Sequence, residues 1–215
     1  MSKLDWSLYV LTDTFLARGR PLPDVVRAAM AGGATAIQLR EKGMTTRELV
    51  EAGRAVREFT REAGVTFIVN DRVDVALAVE ADGVHLGQDD LPAPLARKLM
   101  GPHKIVGVSA GSVAEAQRAE VEGADYLGVG SVYHTGTKAD AGPPIGVASL
   151  KEIVSAVTIP VVAIGGIHAE NVAAVIQAGA AGAAVVSVVV AAEDVEAAAR
   201  ELRQRIEAAR REGCG

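Results

Sequence analysis

An alternation runs the length of this chain: eight short apolar runs, each followed by a longer amphipathic stretch. The runs fall at 8–12, 36–40, 66–70, 83–86, 105–109, 126–130, 161–164 and 183–186, and most are rich in Val, Ile and Leu. Such runs read as strands covered on both faces, as in a parallel sheet wrapped by helices. The stretches between them predict helices over 24–30, 46–63, 73–79, 94–99, 113–122, 147–156, 169–178 and 193–209. The clearest is 46–63, where Leu49, Ala52, Val56 and Phe59 recur at helical spacing while most charges face elsewhere. Eight strand–helix pairs in 215 residues predict an α/β protein, a single closed (β/α)8 barrel over 1–215. A doubly wound open sheet is the second architecture that the alternation allows.

Composition agrees with that packing. Hydrophobic residues make up 49% of the chain and aromatic residues only 3%, so small and branched side chains must fill the core. Three Gly-Ala turns, around Gly33, Gly123 and Gly179, each precede a strand, where a left-handed residue often ends a helix.

Charge and composition also exclude function classes. A net charge of −5 gives no basic footprint for nucleic acid. The first residues lack the pattern of a signal peptide, and no apolar run reaches the ~18 residues of a membrane span. The single cysteine, Cys214, excludes an intrachain disulfide. A cytoplasmic protein is expected, with no membrane or nucleic-acid partner. The sequence leaves the oligomeric state open.

In parallel barrels the reactive face lies at the C-terminal strand ends. Arg40 and Lys42 follow the second strand, and Lys138 follows the sixth, so three cations can surround one anionic ligand. Asp71 and Asp90 follow adjacent strands and can put two carboxylates on the same face. Carboxylates beside an anion repel it unless a cation intervenes. Mg2+ resolves the conflict, because it takes one or two carboxylates and fills its other positions with water and phosphate oxygens. No His/Cys cluster favours zinc. Gly165-Gly166 and Val186-Ser187 form a second region suited to an anion, with the helix start near His168 adding backbone N–H groups. Thr135 and Thr137 add hydroxyl donors. Two anion regions point to two phosphorylated small-molecule substrates. Each cluster also has a purely structural reading. The 40–42 run can be a solvated charge run, Asn70-Asp71 a helix cap, Asp89-Asp90 a helix-start signal and Gly165-Gly166 a tight turn. His85 reads as a packed residue rather than a base, and His103 and His168 as exposed ones.

The ordered set Tyr9-Val10-Leu11-Thr12-Asp13, Gln38-Leu39-Arg40-Glu41-Lys42, Val69-Asn70-Asp71-Arg72, Gly83-Val84-His85-Leu86-Gly87-Gln88-Asp89-Asp90-Leu91, Gly107-Val108-Ser109, Thr135-Gly136-Thr137-Lys138 and Ile164-Gly165-Gly166-Ile167 resembles the thiamine-phosphate synthase family. The resemblance implies a (β/α)8 barrel. It implies a transferase that joins a pyrimidine diphosphate to a thiazole phosphate with Mg2+ as cofactor. It places Gln38, Leu39, Arg40, Glu41, Lys42, Asn70, Ser109 and Lys138 at the pyrimidine diphosphate. It places Thr135, Gly136, Thr137, Gly166, Val186 and Ser187 at the thiazole phosphate, with Asp71 and Asp90 on the metal. Arg40, Lys42 and Lys138 become the catalytic cations. Ser131 stands where the family commonly has proline, and the loop over 139–144 also departs from its pattern. A thiazole tautomerase of the same barrel family would not need the cationic and acidic set. A non-catalytic barrel that binds a phosphorylated ligand would bind without turnover.

Overall fold

The computed structural model describes residues 4–137 and 142–213, so Lys138, part of the 139–144 loop and Cys214 lie outside the described residues. Eight parallel strands close in sequence order: β1 (Leu8–Leu11), β2 (Ala36–Leu39), β3 (Thr66–Asn70), β4 (Gly83–Leu86), β5 (Ile105–Ala110), β6 (Tyr126–Val129), β7 (Val161–Ile164) and β8 (Gly182–Val185). The seam is the β1–β8 pair, where Leu8 sits opposite Ala183. This is the predicted (β/α)8 barrel, and the closed sheet rules out the open alternative.

The helices wrap the barrel as α1 (Leu22–Ala31), α2 (Thr46–Ala63), α3 (Val73–Ala78), α4 (Ala93–Met100), α5 (Val113–Val121), α6 (Gly146–Ala156), α7 (Val172–Gln177), α8 (Ser187–Val190) and α9 (Val195–Glu212). Helix α2 spans the predicted residues because its ends are chemically marked. Thr45 and Glu48 form a reciprocal capping box, and Gly64 closes the far end in a left-handed conformation. Gly33, Gly123 and Gly179 also have positive φ, as the Gly-Ala echo implies.

Two expectations are corrected. Helix α7 begins at Val172 rather than 169, because the Asn171 side chain accepts the His168 N–H at 2.8 Å and holds 168–171 as a turn. That amide is therefore not a free donor for a ligand. The short helix α8, inserted after β8, has no counterpart among the predicted helices.

Strand alternation divides the core into two layers. One set of strand side chains, including Ile37, Leu39, Phe67, Val69, Val84, Val106 and Leu127, packs outward against the helices. The other fills the barrel: Trp6, Tyr9, Leu11, Ala36, Ile68, Ile105, Tyr126, Val162 and Ala184. Toward the C-terminal end the inward positions turn polar, and the cavity begins there. Among the described residues, no helix is long and apolar enough to cross a membrane.

Candidate active site

A cavity of about 330 Å³ opens at the C-terminal mouth, lined from all eight strand ends. On one side stand Gln38, Arg40, Lys42, Asn70, Asp71, Asp90 and Ser109, and on the other Thr135, Thr137, Gly166, Val186 and Ser187. The structure therefore brings most of the sequence-predicted residues together. Three described residues do not line the cavity. Leu39 is buried in the outer layer, because it has the opposite strand parity to Gln38. Glu41 turns toward the β1–α1 loop, where its Oε2 accepts from the Thr14 amide at 2.9 Å and the Thr14 hydroxyl at 2.8 Å. Gly136 lies at the exposed loop tip.

The carboxylates at the mouth are not helix caps. The N-cap positions of α3 and α4 are Arg72 and Pro92, and neither helix has a side-chain cap hydrogen bond. Asp71 sits in a left-handed conformation, φ 61°, with its amide donating to the His85 carbonyl at 2.8 Å. Such backbone costs roughly 1 kcal/mol or more for a residue with a Cβ, and asparagine and aspartate tolerate it best. Asp90 folds back so that its Oδ2 accepts the Gly87 amide at 2.6 Å. Both residues line the cavity mouth. Burial, then the Asp90 carboxyl and its charge, raise the Asp71 pKa to about 6, against the pull of Lys42 and Arg40.

That arrangement fits a hard divalent cation. Two facing carboxylates, one reluctant to ionise, gain most from a positive charge between them. Among the described residues no group of three or more His, Cys, Asp or Glu side chains is placed to hold a metal. A cation at this pair would complete its shell with water and ligand oxygens, the habit of Mg2+.

The cations are positioned from the backbone outward. The Arg40 amide donates to the buried Thr12 hydroxyl at 3.0 Å, which fixes the chain where β2 ends. Gln88 bridges the β4 loop to its neighbours: its Nε2 donates to the Ser109 carbonyl at 2.6 Å, and its Oε1 accepts from Arg118 at 2.7 Å.

Opposite, the β6 and β7 loops are zipped together. The Val132 amide donates to the Ile164 carbonyl at 2.9 Å, and the Tyr133 amide to the Gly165 carbonyl at 3.0 Å. Gly165 and Gly166 have φ of 100° and 64°. A Cβ on Gly166 would stand 2.4 Å from the His134 carbonyl oxygen, and one on Gly165 would stand 2.6 Å from the Ser131 Cβ. Only glycine fits at either position. Asn171 braces the turn by donating from Nδ2 to the Gly166 carbonyl at 2.9 Å. Thr137 Oγ1 reaches Ser187 Oγ at 3.4 Å, joining the β6 loop to the start of α8.

Sequence reasoning missed Tyr9 and Tyr126, which line the cavity floor, and assigned His85 to packing, although it lines the floor as well. Their signal was strand parity. Tyr9, Gln38, His85, Ser109 and Tyr126 all hold inward positions in their strands, and Gly107 and Gly128 leave room beside them.

Fold and cavity define a (β/α)8 barrel with the mixed-charge mouth of a small-molecule enzyme. Comparison with known proteins narrows the class. Residues 8–189 match the family model described as thiamine monophosphate synthase. The chain is 64% identical over 205 residues to the thiamine-phosphate synthase of Moorella thermoacetica, covering 95% of this chain and 98% of that one. It is 56% identical over 210 residues to the thiamine-phosphate synthase of Methanoculleus marisnigri, covering 98% and 100%. Among solved structures, the thiamine phosphate pyrophosphorylase from Pyrococcus furiosus superposes with a TM-score of 0.89 at 49% identity, over 96% of this chain and 98% of that one. The chain belongs to the thiamine monophosphate synthase family.

Proposed function

We propose that the protein joins 4-amino-2-methyl-5-(diphosphooxymethyl)pyrimidine to 4-methyl-5-(2-phosphooxyethyl)thiazole, giving thiamine phosphate and diphosphate. Family membership supports the overall reaction. The observation that carries the detailed reading is the division of one cavity into a cationic, acidic half and a glycine-hydroxyl half. A diphosphate suits the first, and a phosphate monoester suits the second.

The reaction needs no protein nucleophile. The bond from the pyrimidine methylene carbon to the diphosphate oxygen breaks, and the bonding pair leaves with diphosphate. The thiazole nitrogen then donates its lone pair to that carbon. The aminopyrimidine ring spreads the positive charge that develops in between. Arg40 and Lys42 line this half of the cavity and would face the negative charge that grows on the leaving group, so their contribution would be larger in the transition state than in the ground state. Lys138 joins them in this reading. Asp71 and Asp90 would hold Mg2+, which when bound supplies Lewis-acid stabilisation of the diphosphate. Thr135, Thr137, Gly166 and Ser187 would hold the thiazole phosphate and aim the ring nitrogen across the cavity.

The test is direct. Purified protein incubated with both substrates and Mg2+ should release thiamine phosphate and diphosphate in equal amounts, and chelation should stop the reaction. Binding without product, or turnover of the thiazole phosphate alone, would reject the proposal.

A further inference from the structure

Beneath the charged mouth runs a chain of hydrogen bonds that the displacement itself does not use. Gln38 donates from Nε2 to the Tyr9 hydroxyl at 2.7 Å. The Tyr9 hydroxyl lies 3.0 Å from that of Tyr126, which lies 2.9 Å from His85 Nδ1. His85 Nε2 lies 3.0 Å from Ser109 Oγ. Five side chains from β1, β2, β4, β5 and β6 thus form one line across the barrel interior. Its members are held in place. Trp6 stacks on the Tyr126 ring at 4.1 Å, and a Cβ on Gly107 would stand 2.2 Å from that ring. A Cβ on Gly128 would stand 2.8 Å from the His85 ring.

A neutral hydroxyl has one proton to give, and an amide nitrogen can only donate. With Gln38 donating to Tyr9, the Tyr9 proton goes to Tyr126 and the Tyr126 proton to His85 Nδ1. The imidazole then carries its own proton on Nε2 and gives it to Ser109 Oγ. The Ser109 proton is left for the cavity. At the other end Gln38 Oε1, buried and without a hydrogen-bond partner, is left as an acceptor. Burial raises both tyrosine pKa values, which keeps the hydroxyls protonated.

We propose that Tyr9, Tyr126 and His85 are positioning residues that set the hydrogen-bond polarity of the cavity floor, with His85 in its Nε2–H tautomer, so that Gln38 accepts and Ser109 donates. Such a floor is complementary to a flat heteroaromatic ring that offers an amine N–H to Gln38 and a ring-nitrogen lone pair to Ser109. It disfavours the oxo analogue, in which a carbonyl and a ring N–H reverse that pattern. The identity of the ring rests on the proposed function; the polarity of the chain does not.

The first experiment uses the full-length, ligand-free protein. Imidazole ¹⁵N shifts at pH 7.5, with the His85 signals assigned through His85→Gln, should show a neutral ring protonated at Nε2. Protonation at Nδ1, or at both nitrogens, overturns the proposal. Tyr126→Phe keeps the stacked ring and removes one hydroxyl. It should convert His85 to a tautomer mixture, and an unchanged Nε2–H ring would overturn the proposal. In the synthase assay, Tyr126→Phe should raise KM for the aminopyrimidine diphosphate about tenfold, the equivalent of ~1.4 kcal/mol for one hydrogen bond. KM for the thiazole phosphate should stay unchanged, and preference over the 4-oxo pyrimidine diphosphate should fall. Equal rises in both KM values, or an intact preference, would mark the chain as scaffolding only. If wild type forms no thiamine phosphate, the proposed function fails while the imidazole spectrum still decides the chain.

Discussion

The β2–β5 side of the mouth is lined by charged side chains, whereas the described β6–β8 side has no charged lining residue and presents backbone and hydroxyls. On the first side Arg40, Lys42, Asp71 and Asp90 meet, and their mutual influence is visible in the raised Asp71 pKa. On the second, Gly165 and Gly166 are packed so closely against the β6 loop that neither tolerates a Cβ. The lining on the charged side is made of side chains that can be exchanged one at a time. On the neutral side it is set by where the main chain runs, so a substitution there moves several groups together.

The sharpest way to break this comparison is Arg40→Ala. Loss of a cation aimed at a developing charge should lower kcat by about 10²–10³ with little effect on folding, as single-turnover kinetics and a melting curve would show. A near-normal kcat would remove the electrostatic role from this side. Asp71→Asn comes next. Unit charges 4 Å apart interact by ~4 kcal/mol in a medium of intermediate dielectric. After discounting for solvent, the Mg2+ concentration for half-maximal activity should rise tenfold or more, and an unchanged Mg2+ titration would return Asp71 to a structural role.

The pH dependence tests the same pair without mutation. Asp71 has a pKa raised to about 6, so below that pH an incoming cation must displace a proton. Calorimetry should therefore find Mg2+ affinity level above pH 6 and falling about tenfold by pH 5. On the neutral side, Gly166→Ala forces a Cβ toward the His134 carbonyl at a strained φ, costing roughly 1–3 kcal/mol. KM for the thiazole phosphate should rise and the melting temperature should fall, while KM for the pyrimidine diphosphate changes little. The smallest expected effect is Thr137→Val. One neutral hydrogen bond, worth about 1 kcal/mol, predicts a roughly fivefold rise in the thiazole phosphate KM alone.

Much of the barrel was legible in the sequence because strand periodicity and glycine-marked helix ends are local signals. The 66–70, 83–86 and 161–164 strands and the 46–63 helix have the predicted bounds. What escaped depended on single side chains and very short elements. The start of α7 is set by a side chain closing a turn, and α8 is four residues long, too short for periodicity to register. In the site, Arg40 and the two carboxylates were found because charge at a strand end stands out. Leu39 and Glu41 were included because the motif was read as a block, although strand parity separates both from Gln38 and Arg40. Tyr9 and Tyr126 were passed over because an aromatic residue in a strand reads as core, and here it is core and cavity floor at once.

The seam between β1 and β8 has a consequence for how this molecule folds. Leu8 must meet Ala183, so the barrel closes only when residues far apart along the chain come together. Such closure is entropically slow and belongs late on the folding path. Tyr9 arrives with one side of the seam and Ser187 with the other, so the complete cavity exists only in the closed form. Ligands that span it bind the native state and not its open precursors. They should raise resistance to unfolding with the logarithm of their concentration above Kd, which makes the cavity a latch on the barrel.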